Sequence, residues 1–336
     1  MTLYEQNNPG EDMHIVITGG AGFLGSRLAR QLLKRGQLTG SDGKQQTITR
    51  ITLLDVVAAQ GFDDARIEPV VGDIADAAVI ARVIGKDTQS IFHLAAIVSG
   101  HAEADFDLGM KINFDATRLI LERARALGTR PRVVFTSSVA VFGGALPAQV
   151  PDNALLMPQS SYGAQKAMGE LLINDYSRKG FIDGRALRMP TISVRPGAPN
   201  KAASSFASGI IREPLNGQAS VCPVSPETRM WLMSPRKAID NLIHGHEING
   251  ADLGLARFLS IDGLSVSVRQ MVDALEQVAG ADVVKLIEWK EDEAIKRIVN
   301  SWPGSFEAKR AKALGFTADS DFASIVKGHI EDEVKK

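Results

Sequence analysis

Cysteine is nearly absent: the 336 residues contain one, Cys222, so no disulfide can close within the chain, which suits a reducing, cytoplasmic setting. Neither sign of charge is in excess, with 38 Lys and Arg against 39 Asp and Glu and a formal net charge of −1. Without surplus basic charge there are few counterions to release from a nucleic-acid backbone, and no nucleic-acid partner is expected. No apolar run approaches the roughly 20 residues that cross a bilayer, so no membrane partner is expected either. Residues Met1 to Asp12 are polar and lack the basic start and apolar centre of a signal peptide. They read as a flexible leader, with Met13 opening the ordered fold. There is no internal repeat and no low-complexity tract, and the pattern calls for no metal.

An apolar share of 44% is enough for a packed globular core. From Met13 short β-branched runs alternate with longer amphipathic stretches, the rhythm of a parallel sheet covered by helices. Strands are expected at 14–18, 51–54, 67–71, 90–94, 132–136 and 185–189. Helices are expected at 23–34, 76–84, 107–127 and 161–178. The polar stretch 37–49 reads as an inserted surface loop. After Pro190 the rhythm gives way to Pro-, Ser- and Asn-rich sequence of the kind that shapes pockets, before helices return at 235–246, 268–279 and 305–314. The charged end, 331–336, is expected to fray.

Thr18-Gly-Gly-Ala-Gly-Phe-Leu-Gly25 joins the first strand to the first helix. Gly20, Gly22 and Gly25 have the G-x-G-x-x-G spacing, and Gly19, Gly22 and Gly25 fit G-x-x-G-x-x-G equally well. A turn without side chains lets backbone approach a pyrophosphate, whose charge then sits at the positive end of a helix. A tight turn with no ligand would use the same residues. Asp55, at the end of the second strand, favours the ligand reading, because a carboxylate there accepts hydrogen bonds from an adenosine ribose and repels a 2′-phosphate. NAD is therefore expected rather than NADP. The glycine-to-acid interval exceeds the usual ~20 residues, and the insertion at 37–49 accounts for the excess.

Of three tyrosines only Tyr162 has a lysine four residues on, Lys166, and that spacing puts both on one helical face. A cation beside a phenol favours the phenolate, drawing a pKa that starts at about 10 toward that of a working general base. An exposed helix face could carry the same pair. Ser137 and Ser138 follow an apolar strand, in the order expected of groups at the carboxyl edge of a parallel sheet, where such sheets bind ligands. A hydroxyl there could hold a substrate oxygen while Tyr162 removes its proton, although strand-end serines also serve as plain caps.

Taken together, residues 18–25, Gly-Asp-Ile at 72–74, His-Leu-Ala-Ala at 93–96, Asn113, Phe-Thr-Ser-Ser at 135–138 and Tyr-Gly-Ala-Gln-Lys at 162–166 resemble the extended short-chain dehydrogenases/reductases over most of the chain. The resemblance implies an α/β fold: a Rossmann-like doubly wound parallel sheet with a smaller C-terminal substrate-binding domain. Residues 13–190, with a return near 235–262, would form the NAD-binding part, and 191–234 with 263–336 the substrate part. It further implies that Gly19, Gly22, Phe23, Leu24 and Gly25 lie against the pyrophosphate and Asp55 against the adenosine ribose. Asp73 and Ile74 would flank the adenine, and Ala95 and Ala96 would pass under the middle of the cofactor. Tyr162 and Lys166 would meet the nicotinamide ribose, and Pro190 would face the nicotinamide. Ser138, Tyr162, Lys166 and Asn113 are the implied catalytic set, Asn113 supporting a proton relay.

Many extended members act on nucleotide sugars and carry Leu-Arg-x-x-Asn-x-x-Gly-Pro after the sixth strand. This chain reads Leu187-Arg-Met-Pro-Thr191 there, with threonine in place of the asparagine that contacts the diphosphosugar. Residues 190–206, 209–214 and 221–223 are instead similar to the D-erythronate dehydrogenase family, which oxidises the C2 hydroxyl of a four-carbon sugar acid with NAD. A small acid needs a cation for its carboxylate and hydroxyl partners for its diol. Asn200, Lys201, Ser204 and Arg229 are the candidates beside Ser138, Tyr162 and Thr191, with Arg229 the choice for the carboxylate because it aligns with a phosphate-gripping arginine of nucleotide-sugar relatives. The alternatives are a nucleotide-sugar epimerase or dehydratase, and a non-catalytic NAD-binding sensor or scaffold. Relatives pair the helices near 107–127 and 161–178 across a homodimer.

Overall fold

The computed structural model describes residues 12–198 and 202–334. Its main sheet contains β1 (Asp12–Thr18), β2 (Gln37–Thr39), β3 (Gln45–Asp55), β4 (Ile67–Val71), β5 (Thr88–His93), β6 (Arg132–Ser138), β7 (Asp183–Met189) and a late strand, Phe258–Ser260. From that late strand the order runs through β7, β6, β5, β1 and β3, with β4 parallel to the second half of β3 and β2 antiparallel to its first half. β1 lies between β3 and β5, so the chain leaves it first to one side and later to the other. That reversal opens a crevice at the carboxyl ends of β1 and β5, the place where doubly wound sheets bind ligands.

Both faces of the sheet are covered, which explains the near-continuous apolar strands. Ile15 and Ile17 pack into one core layer and Val16 into the other, as the two-residue strand period requires. The first layer is closed by α1 (Phe23–Arg35) and α8 (Pro235–Glu247), the second by α2 (Ala77–Val83), α5 (Ala116–Leu127) and α6 (Ser161–Arg178). A third apolar cluster lies outside this sheet, between α7 (Phe206–Leu215), α9 (Val268–Ala279) and the helix Phe322–His329. Beside it run a three-stranded sheet, β8 (Thr191–Ile192), β10 (Arg229–Met233) and β12 (Leu264–Ser267), and the parallel pair β9 (Ser220–Cys222) and β13 (Ile287–Trp289); the late strand Phe258–Ser260 is β11.

Three expectations are corrected. The stretch 37–49 is a β-hairpin rather than a loop: Leu38 and Ile48 are fully buried, and only the turn at Gly40–Lys44 is loop, closed by Gly40 N–H donating to Lys44 O at 2.8 Å. The helix expected over 107–127 is preceded by α3 (Ser99–Ala104) and interrupted. The Asp105 side chain caps α4 (Phe106–Gly109), a π-helical turn follows at Met110–Asp115, and α5 then begins. The helix expected from Ser305 starts only at Lys309, because Phe306 bridges to Val150 and Ser305 O accepts Val150 N–H at 2.9 Å. Asp12 already belongs to β1, and the rest of the expected leader lies outside the described residues.

One ion pair ties α6 to the sheet. Glu170 on α6 is fully buried and takes Arg188 of β7 in a forked contact at 2.7, 2.9 and 3.1 Å, while Ser137 donates to the same carboxylate. Removing one partner leaves the other charge buried and unpaired, so Glu170→Ala should lower unfolding stability in urea by about 3–5 kcal/mol; a loss below about 1 kcal/mol would show that the pair is not what holds α6 down.

Candidate active site

The crevice is a single cleft of about 610 Å³ that runs from the glycine turn to the second, smaller cluster of elements. At one end α1 begins at Phe23, and Gly22, its N-cap, has no side chain to satisfy the first-turn N–H groups. Gly25 cannot carry a Cβ, because one would collide with Gly19 O and crowd Gly20 Cα. The turn is therefore packed on itself and presents bare backbone N–H groups to the cleft, the arrangement that receives a phosphate. Asp55 ends β3 beneath it and accepts from Ala21 N–H at 3.1 Å and Val56 N–H at 2.7 Å. Gly19, Gly22, Phe23, Leu24, Gly25 and Asp55 all line this end.

Asp73 and Ile74 line the cleft beyond β4. Asp73 accepts Ala75 N–H at 2.9 Å and Lys111 Nζ at 3.0 Å, and these two contacts, the backbone one first, hold its carboxyl below the usual range. Ala95 and Ala96 follow β5 along the floor. The polar chain beneath them is closed to water: His93 bonds Thr18 at 2.7 Å and Thr117 at 2.9 Å. Burial, aided by the charge of Lys166, pushes His93 down to about 3, so it is a neutral structural bridge.

Tyr162 and Lys166 stand on α6, with Ser138 at the end of β6, and all three line the cleft. The Ser160 side chain caps α6 by accepting Gly163 N–H at 3.2 Å. A Cβ on Gly163 would collide with Ala140 O, so only glycine lets the helix press this closely against the turn after Ser138. Ser138 Oγ accepts Ala140 N–H at 3.1 Å, which aims the hydroxyl, and it also hydrogen-bonds the Tyr162 phenol. Ser138 thus caps the turn that follows it and also lines the cleft. Ser137 is a different case, since its hydroxyl is turned to Glu170.

Lys166 is buried, donates to Thr136 O at 2.8 Å and lies 4.6 Å from the centre of the Phe135 ring. Burial brings its amine down to about 7, against the opposing pull of Glu170. The phenol of Tyr162 is raised by burial, and what opposes the rise is the Arg195 guanidinium and the Ser138 hydrogen bond. Arg195 is a cation that opposes the effect of burial on this phenol, and Lys166 Nζ stands 5.7 Å from the centre of the Tyr162 ring.

Arg195 was not among the expected site residues. It follows β8 and lines the cleft, with Nε donating to Ile192 O at 3.1 Å and Nη2 to Ser204 Oγ at 3.4 Å. Burial lowers its pKa, against the pull of Tyr162. Pro190, Thr191 and Ser204 line the same end, joined by Trp302, also unforeseen. Arg229 is a correction: it is not in the cleft but donates to Ser265 O at 3.0 Å on an exposed edge of β10. Asn113 is another. Its amide is spent on the Ile97 peptide, at 2.8 and 3.0 Å, and on Gln165 at 2.7 Å, so it shapes the cleft wall without lining it. Asn200 and Lys201 lie outside the described residues.

Comparison with known proteins agrees with this geometry. Residues 15–232 match the family model described as NAD dependent epimerase/dehydratase family. The chain belongs to that family. It is 57% identical to the D-erythronate dehydrogenase of Cupriavidus necator, over 95% of this chain and 98% of the relative. It is 47% identical to the D-erythronate dehydrogenase of Haemophilus influenzae, over 95% and 99%. A solved structure from Agrobacterium tumefaciens, described as a nucleoside-diphosphate-sugar epimerase, superposes with a TM-score of 0.90 at 44% identity, covering 99% of this chain and 98% of that one. The family's cofactor, NAD, fits the bare glycine turn and the Asp55 carboxylate.

An amine brought down to about 7 is largely uncharged, and so nucleophilic, above neutrality. In cofactor-free protein, acetylation of Lys166 read by mass spectrometry should therefore rise with pH through a midpoint of about 7. A midpoint near the ordinary lysine value of about 10.4 would contradict the burial argument.

Proposed function

We propose that the chain oxidises the C2 hydroxyl of D-erythronate to 2-dehydro-D-erythronate with NAD. The observation that carries this reading is one cleft in which Ser138, Tyr162 and Lys166 stand between a pyrophosphate-type glycine turn and a guanidinium, Arg195, that acts on the Tyr162 phenol. Similarity over nearly the full length to two D-erythronate dehydrogenases, at 57% and 47% identity, supports the choice of substrate.

In this reading Ser138 holds the C2 oxygen and Tyr162, as phenolate, takes its proton, while the C2–H bond supplies the hydride and the carbon–oxygen bond becomes a carbonyl. Bound NAD is the hydride acceptor. Lys166, fixed on Thr136 O, binds the nicotinamide ribose. Arg195 and the Ser138 hydrogen bond offset the penalty that burial sets on the phenolate. Asp55 takes the adenosine ribose, and Thr191 and Ser204 take substrate hydroxyls. Arg195 replaces Arg229 as the partner of the substrate carboxylate, and Asn113, which holds the Ile97 peptide, supports the proton relay. Residues 13–190 with 235–262 form the NAD-binding part and 191–234 with 263–336 the substrate part. The active form is a cytoplasmic homodimer paired through α5 and α6, where Leu171 is left 60% exposed on α6; no described helix is long and apolar enough to cross a membrane.

The epimerase description of the Agrobacterium structure favours a second reading, turnover of nucleotide sugars. Purified protein with NAD and D-erythronate should generate reduced nicotinamide; turnover of UDP-hexoses with none of D-erythronate would replace the first reading with the second. Tyr162→Phe should lower the D-erythronate rate by about 10²–10⁴-fold while NADH binding persists. A sensor or scaffold without turnover would be indifferent to that substitution.

A further inference from the structure

Arg195 stands just past the end of β8, in a stretch that cannot pair as a strand. Pro196 follows it with no N–H to give, and Gly197 takes a φ of +76°, so β8 cannot run on and offer ladder partners to the Arg195 peptide. The partners come instead from α7. Ser208 Oγ accepts Arg195 N–H at 3.0 Å, and Arg212 Nη1 donates to Arg195 O at 2.7 Å. Two residues earlier, Ser193 Oγ donates to Ala207 O at 2.9 Å. The guanidinium itself meets Ser204 Oγ, in the turn Ala203–Ser205 that runs directly into α7.

Ser204, Ser208 and Arg212 are spaced by four residues, so they follow one another along one side of the turn and the helix. All three are buried, and all three are spent on Arg195. Ala207, Ile210 and Ile211 meanwhile seat α7 in the apolar cluster outside the main sheet, which makes the helix a firm support. Arg212 has an anchor of its own: its Nη2 donates to Glu213 Oε1 at 2.5 Å, in a pair largely closed to water. A guanidinium with one tip on a carboxylate and another on a peptide oxygen has little freedom to turn. Neither Ser208 nor Arg212 lines the cleft. They hold the peptide from which the Arg195 side chain extends, and a binding group keeps its geometry only when the residues behind it are themselves fixed.

We propose that Ser208 and Arg212 are positioning residues for the substrate: by gripping the Arg195 peptide at its N–H and its carbonyl, they set the guanidinium against the substrate carboxylate. Recognition of the acid is thus fixed from α7, behind the cleft wall. The proposal rests on the reading of Arg195 as the partner of that carboxylate.

The test uses the whole enzyme. Ser208→Ala removes one hydroxyl and leaves Arg195 N–H without its acceptor, so KM for D-erythronate should rise about threefold to tenfold, the effect of one hydrogen bond, with kcat and NADH affinity changed less than about twofold. Arg212→Gln should act in the same direction and more strongly, because the bond it loses is charge-assisted; should that variant fold poorly, Ser208→Ala carries the test alone. A double-mutant cycle separates positioning from general packing. The dissociation constant of D-erythronate from the enzyme–NADH complex is measured in the parent, Ser208→Ala, Arg195→Met and the double variant. With Arg195→Met in place, adding Ser208→Ala should change that constant by less than about twofold, since the group it positions is gone. An equal loss in both backgrounds, a loss of NADH affinity as large as that of D-erythronate, or a KM within about twofold of the parent would overturn the inference. If Arg195→Met weakens D-erythronate and Ser208→Ala does not, the inference fails while the carboxylate reading stands; if Arg195→Met has no effect, both fail. If D-erythronate neither binds nor reacts, the functional reading fails, and a crystal structure of Ser208→Ala decides the inference: an Arg195 guanidinium displaced from Ser204 upholds it, and one unmoved rejects it.

Discussion

An amine with almost no water around it is the constraint on which this cleft is built. Lys166 can sit where it does only because Thr136 O accepts its proton and the Phe135 ring lies beneath it, and both come from β6. The amine must therefore be delivered to the edge of β6 by a helix held close to the sheet. Gly163 removes a Cβ that would collide with Ala140 O, Gly169 one that would strike the Phe135 ring, and Glu170, one turn beyond Lys166, locks the helix to Arg188 and Ser137. Tyr162, Lys166 and Glu170 thus occupy successive turns of one helical face, with chemistry at the open end and structural pairing at the closed end. Much of the site's precision is fixed by the packing of α6 against β6 and β7.

Two populations of polar groups meet across the cleft. From the main sheet come groups that handle a proton or a dinucleotide: the bare glycine turn, Asp55, Ser138, Tyr162 and Lys166. From the segments after Pro190 come Arg195 and Ser204, both carrying donors, and the Trp302 side chain. The division matches the two ends of a 2-hydroxy acid, an alcohol carbon that loses a hydride and a carboxylate that only accepts. Arg195 also bears on Tyr162, because its charge opposes the rise that burial imposes on the phenol.

The main sheet was legible in the sequence because each signal there is local. The strand period, the glycine turn and the Tyr-Lys spacing are all read within a few residues, and α6 and α9 begin and end where their capping serines and apolar stripes place them. The hairpin at 37–55 was obscured because its polar turn outweighs the two buried side chains, Leu38 and Ile48, that reveal its register. The π-helical turn before α5 left no period to read. The substrate end was least legible, because its residues come from segments about 100 positions apart and only folding joins them. Arg229 had the right chemistry and position by alignment, but β10 turns it outward to Ser265. Arg195 stood in a stretch already seen as pocket-forming, and an arginine next to Pro-Gly was the available clue. Trp302 gave no local signal, because only folding brings the turn after the helix Glu293–Val299 to the cleft wall.

The most direct test of the account is a crystal structure of the Tyr162→Phe enzyme with NAD and D-erythronate bound. The account requires the C2 oxygen at hydrogen-bond distance from Ser138, with C2 facing the nicotinamide and the carboxylate on Arg195. A carboxylate bound at the Ser138 end, or a C2 atom turned away from the nicotinamide, would contradict it.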